Sequence, residues 1–378
     1  MSHRLKLLLL GIATLVMGAL AISNQSFWID EGAAAMKAIQ PTVGDWWHAL
    51  RLEGNSNLQL LPHLFYLWGW EKIFGGSEIS LRAANVPLLF LGLASALWAL
   101  QRWPRLQFSF CLLALVNAFT WYYTSEARPY ILLFAVSCIA LGALVRMADT
   151  EAEEIRQSSL SFVVFCLGIF LVSATSLIAV PWAAAWFASA VVLLGFPNFL
   201  SSIRRNIVAS LCFLGAMTGL GAYYWWTIRL GAHASGIATT NLSNLFLVLY
   251  EQLGLTGLGP GRTVLRISGA SGLRTYLFPL SLGILASAIL FWQAMRSIPI
   301  RWWRSRQAFA AFIGIIVPLV LVFGAGHAQH VRILGRHLMP LFPIVLFILA
   351  LGFRRLQAQR SPARKLGDIC AKDRKSVV

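Results

Sequence analysis

The chain has 378 residues, 58% hydrophobic and only 12% charged, with a mean hydropathy of +0.70. A soluble globular domain carries roughly 25% charged residues, so a soluble fold is excluded. The net charge of +17 would point to nucleic acid in a soluble protein. Here the charges sit in short loops between apolar runs, where they orient helices and meet anionic membrane lipids; nucleic acid is not an expected partner.

Apolar runs of about 17 to 25 residues, the length that spans hydrocarbon, recur from end to end. The first, at 6–22, follows Arg4 and Lys6 and ends in Ala19-Leu20-Ala21, which resembles a secretory signal. In a chain with many spans it is expected to stay as an uncleaved helix. Further spans are predicted at 79–101, 106–122, 129–147, 159–174, 178–196, 206–228, 273–295, 308–326 and 334–353. The expected fold is an all-α polytopic membrane protein of about ten transmembrane helices, with extracytoplasmic juxtamembrane helices.

The stretch 58–74 decides the topology, since counting it as a span inverts everything after it. Its Pro62, Glu71 and Lys72 suit an interfacial helix. Keeping it on the surface places most of the 31 basic residues inside, including Arg102, Arg105, Arg204, Arg205, Arg301 and the tail from Arg354 to Lys375. That satisfies the positive-inside rule. The acids Asp30, Glu31, Asp45, Glu53, Glu71, Glu78, Glu126 and Glu251 then all lie outside. Residues 1–353 are expected to form one transmembrane unit with a long outer loop at 229–272, and residues 354–378 a basic cytoplasmic tail. The expected location is the plasma (inner) membrane. Cys111, Cys138, Cys166, Cys212 and Cys370 are singly placed, so neither a disulfide nor a zinc site is expected.

Three polar groups on the outer side invite explanation. Asp30-Glu31 in SFWIDEGAAAMKAI follows the first span. An acidic pair beside a bilayer is costly unless hydrated or paired, and the alternative is capping of the helix that GAAAMKAI would form. Glu126-Ala-Arg128-Pro-Tyr130 joins the third and fourth predicted spans. It reads either as a tight loop pointing both charges into a cavity or as a surface ion pair. The third group is GHAQHVRILGRHLMP, with His327, His330, Arg332, Arg336 and His337. His327 and His330 at i, i+3 can share a helix face, but no third metal ligand is fixed nearby. Arg332 and Arg336, like Arg262 in GLGPGR with Arg266 and Arg274, stand outside against the positive-inside bias. Glycines let backbone N–H groups approach a phosphate and arginine adds bidentate contacts; the alternative is contact with outer headgroups.

Taken in order, Asp-Glu after the first span, a Pro-apolar surface helix ending in FGGSEISLR, and YTSEARPY resemble the GT-C glycosyltransferases. The nearest branch holds the protein O-mannosyltransferases and the lipid A aminoarabinose transferase. The resemblance covers residues 1–200 and thins afterwards to an arginine-bearing outer segment and GRHLMPLFP. It implies inverting transfer of a sugar from a polyprenyl-phosphate donor to an extracytoplasmic acceptor hydroxyl on a lipid, glycan or protein. In that scheme Asp30 is the base, Glu31 its neighbour, and Glu126, Arg128 and Tyr130 line the same cavity. Where many relatives have His-Pro-Pro this chain reads Leu61-Pro62-His63, which makes Pro62 and His63 possible donor-site residues.

The chemistry suits these residue types. A carboxylate positioned on an acceptor hydroxyl supplies about 10² to 10⁴ in rate. Guanidinium groups stabilise the charge that develops on the departing lipid phosphate; Arg128, Arg332, Arg336 and Arg262 are the candidates. No P-loop or dinucleotide fingerprint is present, and no cofactor is expected, while a divalent metal held by Glu126 or His330 stays open. The competing readings are a lipid or glycan transporter or flippase, and a non-catalytic cell-envelope assembly subunit. Acid-free spans argue against ion coupling, and a scaffold would tolerate Asp30→Asn.

Overall fold

The computed structural model describes residues 2–54, 56–149, 155–231 and 240–360; the tail beyond 360 lies outside the described residues. The described residues are 85% helix, with no strand among them. It is a multi-pass membrane protein: among the described residues, eight helices are long and apolar enough to cross a bilayer.

Chain order explains how the polar groups are placed. Helix α1 (His3–Ala21) leads into four short helices: α2 (Ile29–Ala38), α3 (Val43–Glu53), α4 (Leu61–Phe74) and α5 (Glu78–Ala83). Their ends follow local chemistry. The hydroxyl of Thr42 accepts from the N–H of Asp45 (3.1 Å) to start α3, a side-chain N-cap. Gly54 stops it at φ 57°, a left-handed conformation that glycine adopts without Cβ strain. Ser77 caps α5 in the same way as Thr42 caps α3.

Helix α4 shows why 58–74 is apolar without spanning. At 14 residues it falls short of the roughly 20 that a crossing needs, and its aromatic heads are pinned to neighbouring backbone. Tyr66 Oη donates to Ala84 O (2.8 Å), Trp68 Nε1 to Gln40 O (2.9 Å) and Trp70 Nε1 to Ser80 O (2.9 Å). Leu64 and Leu67 bury with Ala34, Trp46, Leu50, Leu58 and Leu81 in a core separate from that of the long helices.

The long helices are α6 (Asn85–Ala99), which continues α5, then α9 (Tyr130–Ala148), α11 (Val180–Leu194), α13 (Ile207–Arg229), α16 (Leu277–Ser297), α17 (Arg306–Ala328) and α18 (Phe342–Arg360). With α7 (Pro104–Val116), α8 (Ala118–Thr124) and α10 (Ile155–Thr175), all of them but α16 contribute to the main core. Trp182, Trp186, Tyr123, Phe134, Phe165 and Phe342 are among its largest members. Small residues set the closest approaches. A Cβ on Gly92 would lie 2.9 Å from Ala135 Cα, and one on Gly168 would lie 2.8 Å from Ala140 Cα. Hence α6 and α10 pack backbone to backbone on α9, as membrane helices do where Gly and Ala meet. Trp186 Nε1 donates to Gly314 O (3.1 Å), tying α11 to α17. The remaining helices are α12 (Phe196–Arg205), α14 (Leu242–Gln252) and α15 (Arg262–Ser268).

One predicted span differs from expectation. Residues 106–122 are not one helix: α7 and α8 meet at Asn117 with a bend of 60°. Asn117 is extended (φ −73°, ψ 126°), and its Oδ1 accepts from Phe119 N (2.8 Å) to cap α8 while its Nδ2 donates to Gln252 O (3.0 Å). A single amide interrupts the helix by offering its backbone another partner. Residues 159–174 fall in α10, a helix of 21 residues, as expected. Among the described residues eight spans are clear, the α7–α8 pair is a broken ninth, and α10 adds a further apolar helix.

Candidate active site

The first turn of α2 carries Asp30 and Glu31, and their environments are opposite. Glu31 is 2% exposed and bound to Arg82 of α5. Its Oε1 accepts from Arg82 Nε (3.0 Å) and its Oε2 from Arg82 Nη2 (2.8 Å), a bidentate fork. Oε1 also accepts from the backbone N–H of Ala127 (2.9 Å). Arg82 Nη1 donates to Ser23 O (2.8 Å) and Gln25 O (2.7 Å). One buried ion pair thus joins the end of α1's connection, α2, α5 and the loop between α8 and α9.

Asp30 keeps its carboxylate accessible: the side chain is 40% exposed, and Oδ2 lies 3.7 Å from Arg336 Nη1. Arg336 belongs to the 3-10 turn Gly335–Leu341 that leads into α18. Its guanidinium sits 5.9 Å from the Trp28 ring centre and 5.8 Å from that of Tyr130, within cation–π range. Residues 306 positions apart in the sequence therefore meet around one carboxylate.

Glu126 and Arg128 are both buried, not surface partners, because the loop carrying them tucks against α2 and the turn at Ser56–Leu60. Asn85 Nδ2 faces three carbonyls of that loop, Tyr123 O (3.4 Å), Thr124 O (3.3 Å) and Glu126 O (2.5 Å). Arg128 Nη1 donates to the backbone oxygen of Asp30 (3.1 Å) and to Asn57 Oδ1 (3.3 Å). Asn57 Nδ2 in turn faces Glu53 (3.2 and 3.3 Å), and Glu53 pairs with the buried Lys37. Arg128 is thereby held at the start of α2 by a polar chain reaching back to α3.

Pro62 stands in the first turn of α4, where its missing N–H costs nothing. His63 beside it is fully buried, and neither ring nitrogen has a hydrogen-bond partner among the described residues. Burial, with the neighbouring Arg128 charge adding to it, pushes its pKa down to about 3. It is a neutral imidazole at physiological pH.

The other sequence candidates lie apart. Arg332, Arg274, His327 and His330 are exposed. His327 Nδ1 is 3.1 Å from Thr240 O, and His337 Nδ1 accepts from Leu334 N (3.2 Å), so both ring contacts are made with backbone. The side chains of Arg262 and Arg266 lie outside the described residues. No three His, Cys, Asp or Glu side chains converge as metal ligands among the described residues.

No protein-family model matches the chain, and no curated protein sequence does. Two solved structures do. One is ArnT from Cupriavidus metallidurans in the apo state: TM-score 0.58 and 17% identity, covering 97% of this chain. The fold is similar to that of ArnT. The second is ArnT from the same organism bound to undecaprenyl phosphate, with TM-score 0.56 and 16% identity over 96% of this chain. The chain spans only about three-fifths of ArnT's length, 62% and 61% in the two comparisons. The likeness in fold therefore extends along nearly the whole chain, beyond the residues 1–200 that carry the short motifs.

Several residues of this constellation were not singled out from the sequence. Arg82 left a signal: it is a lone arginine inside the predicted span 79–101, and an intramembrane charge asks for a partner. Asn57, Asn85 and Lys37 left none, because single amides and a lone lysine in a helix have no pattern of their own.

Proposed function

We propose that the chain is a membrane glycosyltransferase. It would take a sugar from a polyprenyl-phosphate donor and pass it, with inversion, to a hydroxyl of a lipid, glycan or protein acceptor on the extracytoplasmic side of the inner membrane. The observation that carries this reading is the pairing of an accessible carboxylate, Asp30, with the Arg336 guanidinium at 3.7 Å. A base must reach its acceptor, and a fixed cation must face the phosphate as it gains charge. Asp30 draws the proton from the acceptor hydroxyl as that oxygen attacks the anomeric carbon. The bond to the lipid phosphate breaks, and the monoester carries away the electron pair.

Roles follow from surroundings. Arg336 binds the donor phosphate, and Arg128 holds the backbone of Asp30 rather than the donor. Glu31, committed to Arg82, fixes the angle between α2 and the 125–129 loop that carries Glu126 and Arg128. Tyr130 backs Arg336. Pro62 and His63 shape the wall beside Arg128. Arg332 remains exposed and would meet headgroups. The likeness to ArnT, an aminoarabinose transferase seen with undecaprenyl phosphate, supports a lipid-linked donor. The unit 1–353 would act as one enzyme, with 354–378 facing the cytoplasm.

The test is turnover by purified protein in nanodiscs, using a panel of radiolabelled polyprenyl-phosphate sugars and a crude lipid and glycan acceptor extract. Release of polyprenyl phosphate coupled to labelled product is the expected result. Binding of the lipids with movement across a sealed vesicle and no sugar transfer would replace this reading with a flippase.

A further inference from the structure

Arg336 meets Asp30, Trp28 and Tyr130 through its guanidinium, while the backbone turn that carries it is held from elsewhere. The grip comes from α14, in the long loop that the sequence motifs leave unexplained. Glu251, in its last turn, is 2% exposed, and its Oε2 accepts from the backbone N–H of Gly335 (2.9 Å). The next residue, Gln252, is fully buried, and its Nε2 donates to Leu338 O (2.8 Å). Two adjacent side chains thus clasp both sides of Arg336 in the 3-10 turn. Gly335 has no room to spare: a Cβ there would collide with the Glu251 carboxylate and come within 3.0 Å of Phe119 Cε2. The α7–α8 break feeds the same clasp, since Asn117 Nδ2 donates to Gln252 O (3.0 Å).

We infer that Glu251 is a positioning residue that sets Arg336 against Asp30 through the Gly335 N–H, so that the 242–252 helix governs affinity for the donor's phosphate. The inference rests on the reading of Arg336 as the phosphate ligand. A buried carboxylate is a strong acceptor, and an N–H left without it in a dry site carries the full desolvation penalty. The turn would then shift, and with it the guanidinium.

The experiment measures undecaprenyl phosphate affinity of the full chain in nanodiscs for wild type, Arg336→Ala, Glu251→Ala, Glu251→Gln and the Arg336→Ala/Glu251→Ala double variant. Loss of one charge-assisted contact corresponds to about tenfold or more in affinity, so both alanine variants should weaken binding by about that factor. The double variant should bind no more weakly than Arg336→Ala alone, because Glu251 acts through Arg336. Glu251→Gln retains an acceptor oxygen and should stay within about threefold of wild type. Additive losses in the double variant, or equal losses in Gln and Ala, overturn the inference while leaving the Arg336 reading intact. Wild-type affinity in Arg336→Ala instead removes that reading itself. If Glu251→Ala yields no folded protein, Glu251→Asp replaces it: the charge remains and the acceptor withdraws. The same non-additive pattern is then expected, and wild-type affinity in Glu251→Asp overturns the inference.

Discussion

Breaking the Glu31–Arg82 pair separates two views of the acidic motif. If Glu31 is architectural, stability should follow its hydrogen bonds. It accepts three, two from Arg82 and one from Ala127 N, and both side chains of the pair are 5% exposed or less. Arg82→Leu strands a carboxylate in a dry site, which costs about 3–5 kcal/mol. Glu31→Gln keeps the shape but turns one amide N–H toward Arg82 and should cost less, about 1.5–3 kcal/mol. The double variant Glu31→Leu/Arg82→Leu removes both charges and should melt higher than Arg82→Leu alone. The assay is tryptophan-fluorescence melting of the purified protein in detergent, which the 15 Trp of the chain make sensitive. A melting shift on the order of 5 °C is expected for Arg82→Leu. Wild-type melting in Glu31→Gln together with abolished transfer would refute the architectural role and make Glu31 a chemical participant.

Further outcomes follow from the same geometry. The buried His63 is neutral with a pKa of about 3, below its ordinary 6.5. The unfolded chain therefore takes up a proton that the folded one refuses, and this contribution to stability is lost as pH falls below 6.5. By pH 5 the loss is about 2 kcal/mol, so the melting temperature of wild type should fall between pH 7 and 5 more steeply than that of His63→Gln; parallel pH profiles would contradict it. Asn85→Leu removes the donor that faces three loop carbonyls and should cost about 1–3 kcal/mol, read as a lower melting point with faster proteolysis at 124–129. Gly168→Leu drives a side chain into the Ala140 backbone and should destabilise by about 1–3 kcal/mol; unchanged melting would mean that α9 and α10 can part freely.

Hydropathy and the positions of Asp30-Glu31 and Glu126-Arg128 were enough to place the helices and to bring α2 and the 125–129 loop into one account. The pattern could not say which acid is free. Asp30 and Glu31 are adjacent, and only the partner across the fold, Arg82 on α5, makes one buried and the other accessible. The same limit hid the α7–α8 break, since the run containing Asn117 stays apolar enough to span. It also hid the role of 242–252, whose grip on Gly335 depends on a separation of 84 residues. Among the arginines the positive-inside argument marked Arg332 and Arg336 alike, and burial of the turn after Gly335 is what separates them.

The most direct test of the account sets transfer against binding in Asp30→Asn. Undecaprenyl phosphate affinity and turnover of a labelled polyprenyl-phosphate sugar are measured side by side with wild type. The account predicts affinity within about threefold of wild type and turnover reduced by about 10² or more. Turnover at the wild-type rate in Asp30→Asn would contradict it.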